Sequence, residues 1–430
     1  MTRTSSFWQV TAMAAGLTLT ATCATSTTAP QPADWKVDTS GVEDMLETAV
    51  AEQRVAGAVA MIWQDGEEIF FDTEGFADAS SGRKMSRDTL FQVYSMSKPI
   101  TGMALMTLYE DGKFSLDDPL SKYLPEFADM MVFEGMDEAG NPVLVPAETP
   151  ITIRQLVSHS AGFGYNADGD DYVSQQFAKD EPLDPSNTLA EMSERLSELP
   201  LRYQPGSQWF YSISVDVQAR LVEVLSGQSF HAYLQEVIFT PLGMTDVHRF
   251  LTDDEKARLA RGYLETAPGA LTRLPEGNEF YSYNAQPHAL EMGGSGLVMP
   301  IDNYARFARM LLNGGELDGV RILKPETIEL MATDMLDWPL DGTHFLRDKG
   351  QFGFGVDFAV RTAPPASPNE QAGAVGEFFW DGYASTLFWV DPVNDLTAIL
   401  LVQKIPFDGE LHRQFRNAVY AGSPHAPPEE

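Results

Sequence analysis

The spacing of apolar positions divides this chain into a beginning and an end with strand character and a middle with helical character. Val42, Leu46, Ala49 and Val50 repeat at helical spacing behind Ser40-Gly41-Val42-Glu43, which reads as a capping box. Ala58 to Trp63 and Glu67 to Phe71 read as two strands joined by the turn Asp65-Gly66. Ile100, Met103, Ala104, Thr107 and Leu108 form a helical stripe that Gly112 stops. From Gly162 to about residue 300 the pattern is helical segments and long polar loops, with few strands. Strand character returns at Thr386 to Val390 and Leu396 to Val402, and a closing helix carries Leu411, Phe415, Ala418 and Val419 on one face. These elements predict an α/β fold: an antiparallel sheet flanked by helices, built from both chain ends, with an inserted mostly helical domain. The predicted layout is a signal peptide and linker over 1–34, an α/β domain from 35–125 with 300–422, a mostly helical domain over 126–299, and a frayed tail over 423–430.

Charge narrows the class of partner. The 430 residues carry a formal net charge of -33, which argues against nucleic acid and anionic membrane surfaces as partners. Arg3, an apolar run from Phe7 to Leu19 and small residues up to Ala29 read as an export signal, so a periplasmic or secreted location is expected. The single cysteine, Cys23, follows that run and is a candidate for a lipid anchor, although Thr20-Ala21-Thr22 matches the usual lipobox poorly. The plain alternative is a disordered tail on a cytoplasmic protein. With one cysteine, disulfides and thiolate metal sites drop out. The seven histidines are scattered, and no metal or cofactor is expected. His159, in Ser158-His159-Ser160-Ala161-Gly162, suits a supporting hydrogen-bond role better than ligation. Asn166 to Asp171 has the look of a calcium loop but lacks a Glu at the right distance, so a solvated acidic loop is expected.

The candidate chemistry starts at Ser95-Met96-Ser97-Lys98. Three residues apart on a helix, the hydroxyl and the amine share a face. Pro99 is tolerable only in a first turn, so the helix starts near Ser95. A serine is a weak nucleophile until a base takes its proton. Lys98 is placed to do so if burial and the helix end lower its pKa, and the same helix end offers N–H groups to an oxyanion. On local context alone an ordinary helix cap explains Ser95 equally well. Ser81-Gly82-Arg83-Lys84 repeats the spacing in a polar turn with no helix behind it, and the turn accounts for it. Tyr211 stands at the mouth of a helix carrying Val215, Ala219, Val222 and Leu225, where it is placed either to relay a proton or simply to anchor the turn. Trp380-Asp381-Gly382-Tyr383 precedes the last strand pair. Its glycine permits a close backbone approach, which would make the Tyr383 N–H a second oxyanion donor; the plain alternative is a strand with an aromatic face.

These three pieces, in this order, resemble the serine β-lactamase and penicillin-binding-protein superfamily, most closely its class C-like branch and the family VIII carboxylesterases. Ser95-Met96-Ser97-Lys98 matches the first motif, Tyr211-Ser212-Ile213 the Tyr-x-Asn position and Trp380-Asp381-Gly382 the Lys-Thr-Gly position. Phe114 to Pro119, Leu156 to Gly162, Gly296-Leu297-Val298 and Tyr304 to Gly315 match as framework, and the likeness runs from about residue 40 to 415. Ser282-Tyr283-Asn284 is a weaker rival for the second motif. The resemblance implies a β-lactamase/transpeptidase-like fold and an acyl-enzyme on Ser95. Lys98 and Tyr211 would move the proton, and the N–H groups of Ser95 and Tyr383 would form the oxyanion hole. Trp380 stands where the family's anion-binding lysine would be, Asp381 would repel an anion, and Ile213 replaces an amide. These departures resemble the esterase branch and imply a small-molecule ester substrate before an amide one. Trp380, Asp381, Gly382, Trp209 and Phe163 are the candidate substrate-binding residues, with Tyr165, Phe378 and Phe379 as further lining. The expected activity is hydrolysis of short-chain carboxylic esters. The alternatives are a β-lactamase or D-Ala-D-Ala carboxypeptidase, and, outside enzymes, a catalytically silent envelope binding protein.

Overall fold

The computed structural model describes residues 35–165, 169–338, 340 and 349–429. The expected export signal, Cys23 and part of the acidic loop at 166–171 lie outside them. Of that loop, Asp171 caps the helix Tyr172–Asp180 and pairs with Arg202 at 2.7 Å.

An eight-stranded antiparallel sheet forms the frame. Its order is Phe352–Phe354, Ala359–Arg361, Phe378–Asp381, Leu387–Asp391, Leu396–Leu401, Gly57–Gln64, Glu67–Asp78 and Arg83–Lys84. The chain's two ends meet at its centre, where Val59 pairs with Leu401 and Met61 with Ile399. Asp65 and Gly66 both take positive φ, 54° and 80°, as the tight two-residue hairpin requires. Successive side chains on a strand point to opposite faces, and Phe388 and Trp389 show what covers each. Phe388 packs on Tyr304 and Phe307 of the helix Ile301–Leu312; Trp389 packs on Phe415 and Tyr420 at the closing helix Gly409–Val419. Helices therefore cover both faces, as the sequence implies.

Local details differ from expectation where a neighbour competes. The first helix, Thr39–Ala51, is capped by Asp38, whose side chain accepts the Ser40 N–H; the capping box read at Ser40 does not form. The middle of the chain carries two hairpins of its own, Met131–Met136 with Pro142–Pro146 and Tyr263–Ala267 with Ala270–Arg273. The helix Lys98–Glu110 is buried nearly all round, Lys98, Thr101 and Leu105 included, so its apolar stripe marks only part of a central helix. It packs against the helix Ser214–Ser226.

Candidate active site

Ser95 lies in a 3₁₀ turn, Tyr94–Ser97, that runs directly into the helix Lys98–Glu110, with Pro99 in its first turn. Three residues per turn bring positions 95 and 98 into line, which suits the Ser-x-x-Lys spacing better than an α-helix would. The Lys98 Nζ stands 3.3 Å from the Ser95 Oγ and donates to the Gly294 carbonyl at 2.8 Å. Tyr94, just before Ser95, holds a left-handed φ of 45° and donates its hydroxyl to the Phe280 carbonyl. Such strain is common beside reacting groups.

The Tyr211 segment precedes the helix Ser214–Ser226, which Gly227 ends at a φ of 74°. The Trp380 indole N–H donates to the phenol oxygen at 3.3 Å, and Ser95 lies close enough to draw the phenol's pKa down against the opposing effect of burial. Lys98 Nζ lies 4.7 Å from the Tyr211 ring centroid. Burial pushes the Tyr211 phenol well above the usual tyrosine range, so at neutral pH it holds its proton. Tyr165 packs edge-on against Tyr211, and burial pushes it up to about 12.

The third strand approaches through Gly382. A side chain there would meet the Val93 carbonyl at 2.6 Å and the Thr386 hydroxyl at 2.2 Å, so only glycine fits. This brings the backbone at Tyr383 beside Tyr94, whose ring the exposed Tyr383 ring meets edge-on. The structure thus collects Ser95, Lys98, Tyr211, Trp380 and Gly382 in one place.

Asp381 differs from expectation. Trp380 faces Tyr211 and Phe354, whereas Asp381 is turned toward the closing helix, buried and paired with Lys349, with His412 4.0 Å away. The alternation of the strand forces this, and the pairing cancels the charge that was expected to repel an anion. Phe163 and Trp209 are also buried, Phe163 against Phe127 and Trp209 against Phe354 and the back of Tyr211. Phe378 and Phe379 pack on Phe358 and Phe352. Among the described residues, aromatic rings left partly open near Ser95 include Tyr94, Tyr165, Tyr211 and Tyr383. The rival Ser282-Tyr283-Asn284 serves the framework: Tyr283 donates to the Leu290 carbonyl, and Asn284 donates to the carbonyls of Arg249 and Gly296.

The sequence reading missed the groups behind Lys98. Gly294 takes the lysine's hydrogen bond on its carbonyl and gives its own N–H to Asp216 Oδ1 at 3.1 Å. Asp216 and Asp357 are buried carboxyls that burial pushes above the usual carboxylate range. Asp357 accepts from Gln218 at 3.0 Å. Gly293-Gly294-Ser295-Gly296 was the available signal, because a glycine run marks close backbone approach; the carboxyls gave none. Among the described residues no group of three His, Cys, Asp or Glu side chains is placed to hold a metal ion.

Comparison with known proteins gives the family. Esterase EstB of Burkholderia gladioli is 31% identical over 88% of this chain and 94% of its own. Lovastatin esterase of Penicillium rubens is 27% identical over 88% of this chain and 98% of its own. Among solved structures, EstCE1, described as a hydrolase with promiscuous acyltransferase activity, matches with a TM-score of 0.73 and 26% identity, over 89% of this chain and 98% of that one. The beta-lactamase family model matches residues 42–422, and the chain belongs to that family, in a neighbourhood of esterases and acyltransferases that supports a serine hydrolase-type function.

Proposed function

We propose that the protein is a serine esterase that cleaves short-chain carboxylic esters through an acyl-enzyme on Ser95. One observation carries the reading: a serine 3.3 Å from a buried amine and beside a half-buried phenol, next to a strand that presents an indole where a cation would bind a substrate carboxylate. Ser95 attacks the ester carbonyl as its proton passes to Lys98 in its neutral amine form, the form that has a lone pair to receive it. The Tyr211 phenol, kept protonated by burial, gives its proton to the departing alkoxide and regains one from Lys98. The N–H groups of Ser95 and Tyr383 receive the oxyanion. Water then releases the acid by the reverse relay.

Trp380 supports an ester over a β-lactam or peptide substrate, since an indole offers no charge to a carboxylate. Pre-steady-state release of p-nitrophenol from p-nitrophenyl butyrate tests the proposal. A burst that Ser95→Ala abolishes is expected, with Ser95 labelled by a fluorophosphonate. A burst that survives in Ser95→Ala overturns the mechanism. Nitrocefin turnover matching ester turnover overturns the substrate class in favour of a β-lactamase.

A further inference from the structure

His159 is buried against the site, and no step above uses it. Three of its contacts converge on the segment that carries Tyr211. Its carbonyl accepts the Phe210 N–H at 2.9 Å. Its ring Nδ1 accepts the Ser212 N–H at 3.1 Å. Its ring lies against the Tyr211 ring, with centroids 5.0 Å apart and planes at 36°. The residues on both sides of Tyr211 are therefore tied to one residue, and the phenol ring rests on that residue's imidazole.

The contact fixes the protonation of the ring. A backbone N–H can only donate, so Nδ1 carries a lone pair and the proton sits on Nε2. Nε2 is buried and faces Asp357 Oδ1 at 3.9 Å, beyond hydrogen-bond reach. Burial, with the Lys98 charge nearby, holds the imidazole well below the usual histidine range, so the acceptor is present at neutral pH. The backbone at His159 takes a left-handed φ of 56°, unusual for a residue with a side chain. That conformation accompanies the arrangement in which carbonyl and ring both reach the Tyr211 segment. At the helix that follows, the N-cap residue Ile213 supplies no side-chain bond, and the Ser214 N–H is accepted by the hydroxyl of Ser212, the residue whose own N–H His159 holds.

We infer that His159 is a positioning residue for Tyr211: it clamps the backbone on either side of the tyrosine and backs its ring, so that the phenol meets Ser95. The inference rests on Tyr211 acting on Ser95 as proposed above.

The test is the acylation rate with p-nitrophenyl butyrate in a double-mutant cycle with Tyr211→Phe. His159→Asn retains an acceptor oxygen near the place of Nδ1, and asparagine tolerates left-handed backbone. It is expected to stay within about 5-fold of the parent, the worth of one adjusted hydrogen bond. His159→Phe keeps a ring and loses the acceptor. It is expected to lose about 100-fold in acylation, the cost of a catalytic group misplaced by about 1 Å, with KM changed less than about 3-fold. In the Tyr211→Phe background the same change should cost less than about 3-fold more, because nothing is left to position. Should His159→Phe not fold, His159→Gly, which suits the positive φ, carries the same comparison. An equal loss in both backgrounds, or His159→Asn as impaired as His159→Gly, overturns this inference and leaves the ester mechanism standing. Full activity in Tyr211→Phe overturns both.

Discussion

Gly294→Ala tests how the amine is held in place. A methyl group built there would lie 2.9 Å from Asp216 Oδ2 and 3.2 Å from Lys98 Nζ, against 3.4 Å or more for an ordinary contact. Relief requires a movement of about 0.5 Å at the carboxyl or about 0.2 Å at the ammonium, and both side chains sit in a close-packed interior that yields little. The lysine is already 3.3 Å from Ser95 Oγ; where the backbone at residue 294 retreats by the roughly 0.5 Å that the tighter contact demands, its carbonyl carries the amine with it and takes the pair out of hydrogen-bond range. If a misplacement of about 1 Å costs about 100-fold, half of that costs about 10-fold. The acylation rate, read as the burst constant with p-nitrophenyl butyrate, should therefore fall about 10-fold while KM changes little. Asp216→Ser beside Gly294→Ala removes the tighter of the two contacts and should return part of the loss. An acylation rate within about twofold of the parent in Gly294→Ala would mean that the carbonyl of residue 294 does not set the ammonium, and the account of Lys98 would have to be rebuilt.

Three further outcomes follow from the same contacts. Trp380→Phe deletes the indole N–H that meets the Tyr211 oxygen at 3.3 Å; the loss of one hydrogen bond, about 1 kcal/mol, should lower kcat about 5-fold, and an unchanged kcat would remove Trp380 from the relay. Glu377 accepts from Arg361 at 2.9 Å and from Arg416 at 2.7 Å with all three side chains fully buried, so Glu377→Gln should cost about 3–5 kcal/mol in urea unfolding, and a loss below about 1 kcal/mol would refute the pairing. Burial pushes His412 down to about 4, so between pH 6.5 and about 4 the unfolded chain takes a proton that the folded one refuses; stability present above that window should be lost on acidification, on the order of 3 kcal/mol, and His412→Leu should flatten that part of a plot of Tm against pH.

The frame was legible in the sequence because its signals are local. Asp65-Gly66 names a hairpin turn by its backbone needs, and the central strands from both ends stand out as short, nearly continuous apolar runs buried on both faces. The reactive centre was legible for a different reason. Ser95 and Lys98 are three residues apart, and the Tyr211 and Trp380 segments carry recognisable neighbours. What stayed hidden depends on which way a side chain turns. Asp381 was expected to meet substrate, yet strand alternation sends it to the opposite face, where Lys349, 32 positions earlier, neutralises it. Phe163 and Trp209 were expected to line a pocket, and apolar character alone does not separate a pocket wall from the core behind it.

Protonation near Lys98 is a further property that only the folded chain has. Burial pushes Asp216, Asp357, Tyr165 and Tyr211 upward and His159 downward, and in every case the direction favours the neutral form. These groups stand on separate segments of the chain, and in water their charges would be unremarkable. Packed together they surround one lysine with groups whose charging burial opposes, and in such a setting moving a proton between hydroxyl, amine and phenol requires little solvent rearrangement. The same surroundings oppose a substrate that brings its own carboxylate. Desolvating that charge has no compensating cation among the described residues of the third strand, where Trp380 stands, and the Lys349 ammonium is already taken by Asp381. On the ester reading proposed above, burial and pairing together disfavour anionic substrates, and Asp381→Asn would free the Lys349 ammonium on the side of the strand where Phe379 lies, not the side where Trp380 meets Tyr211.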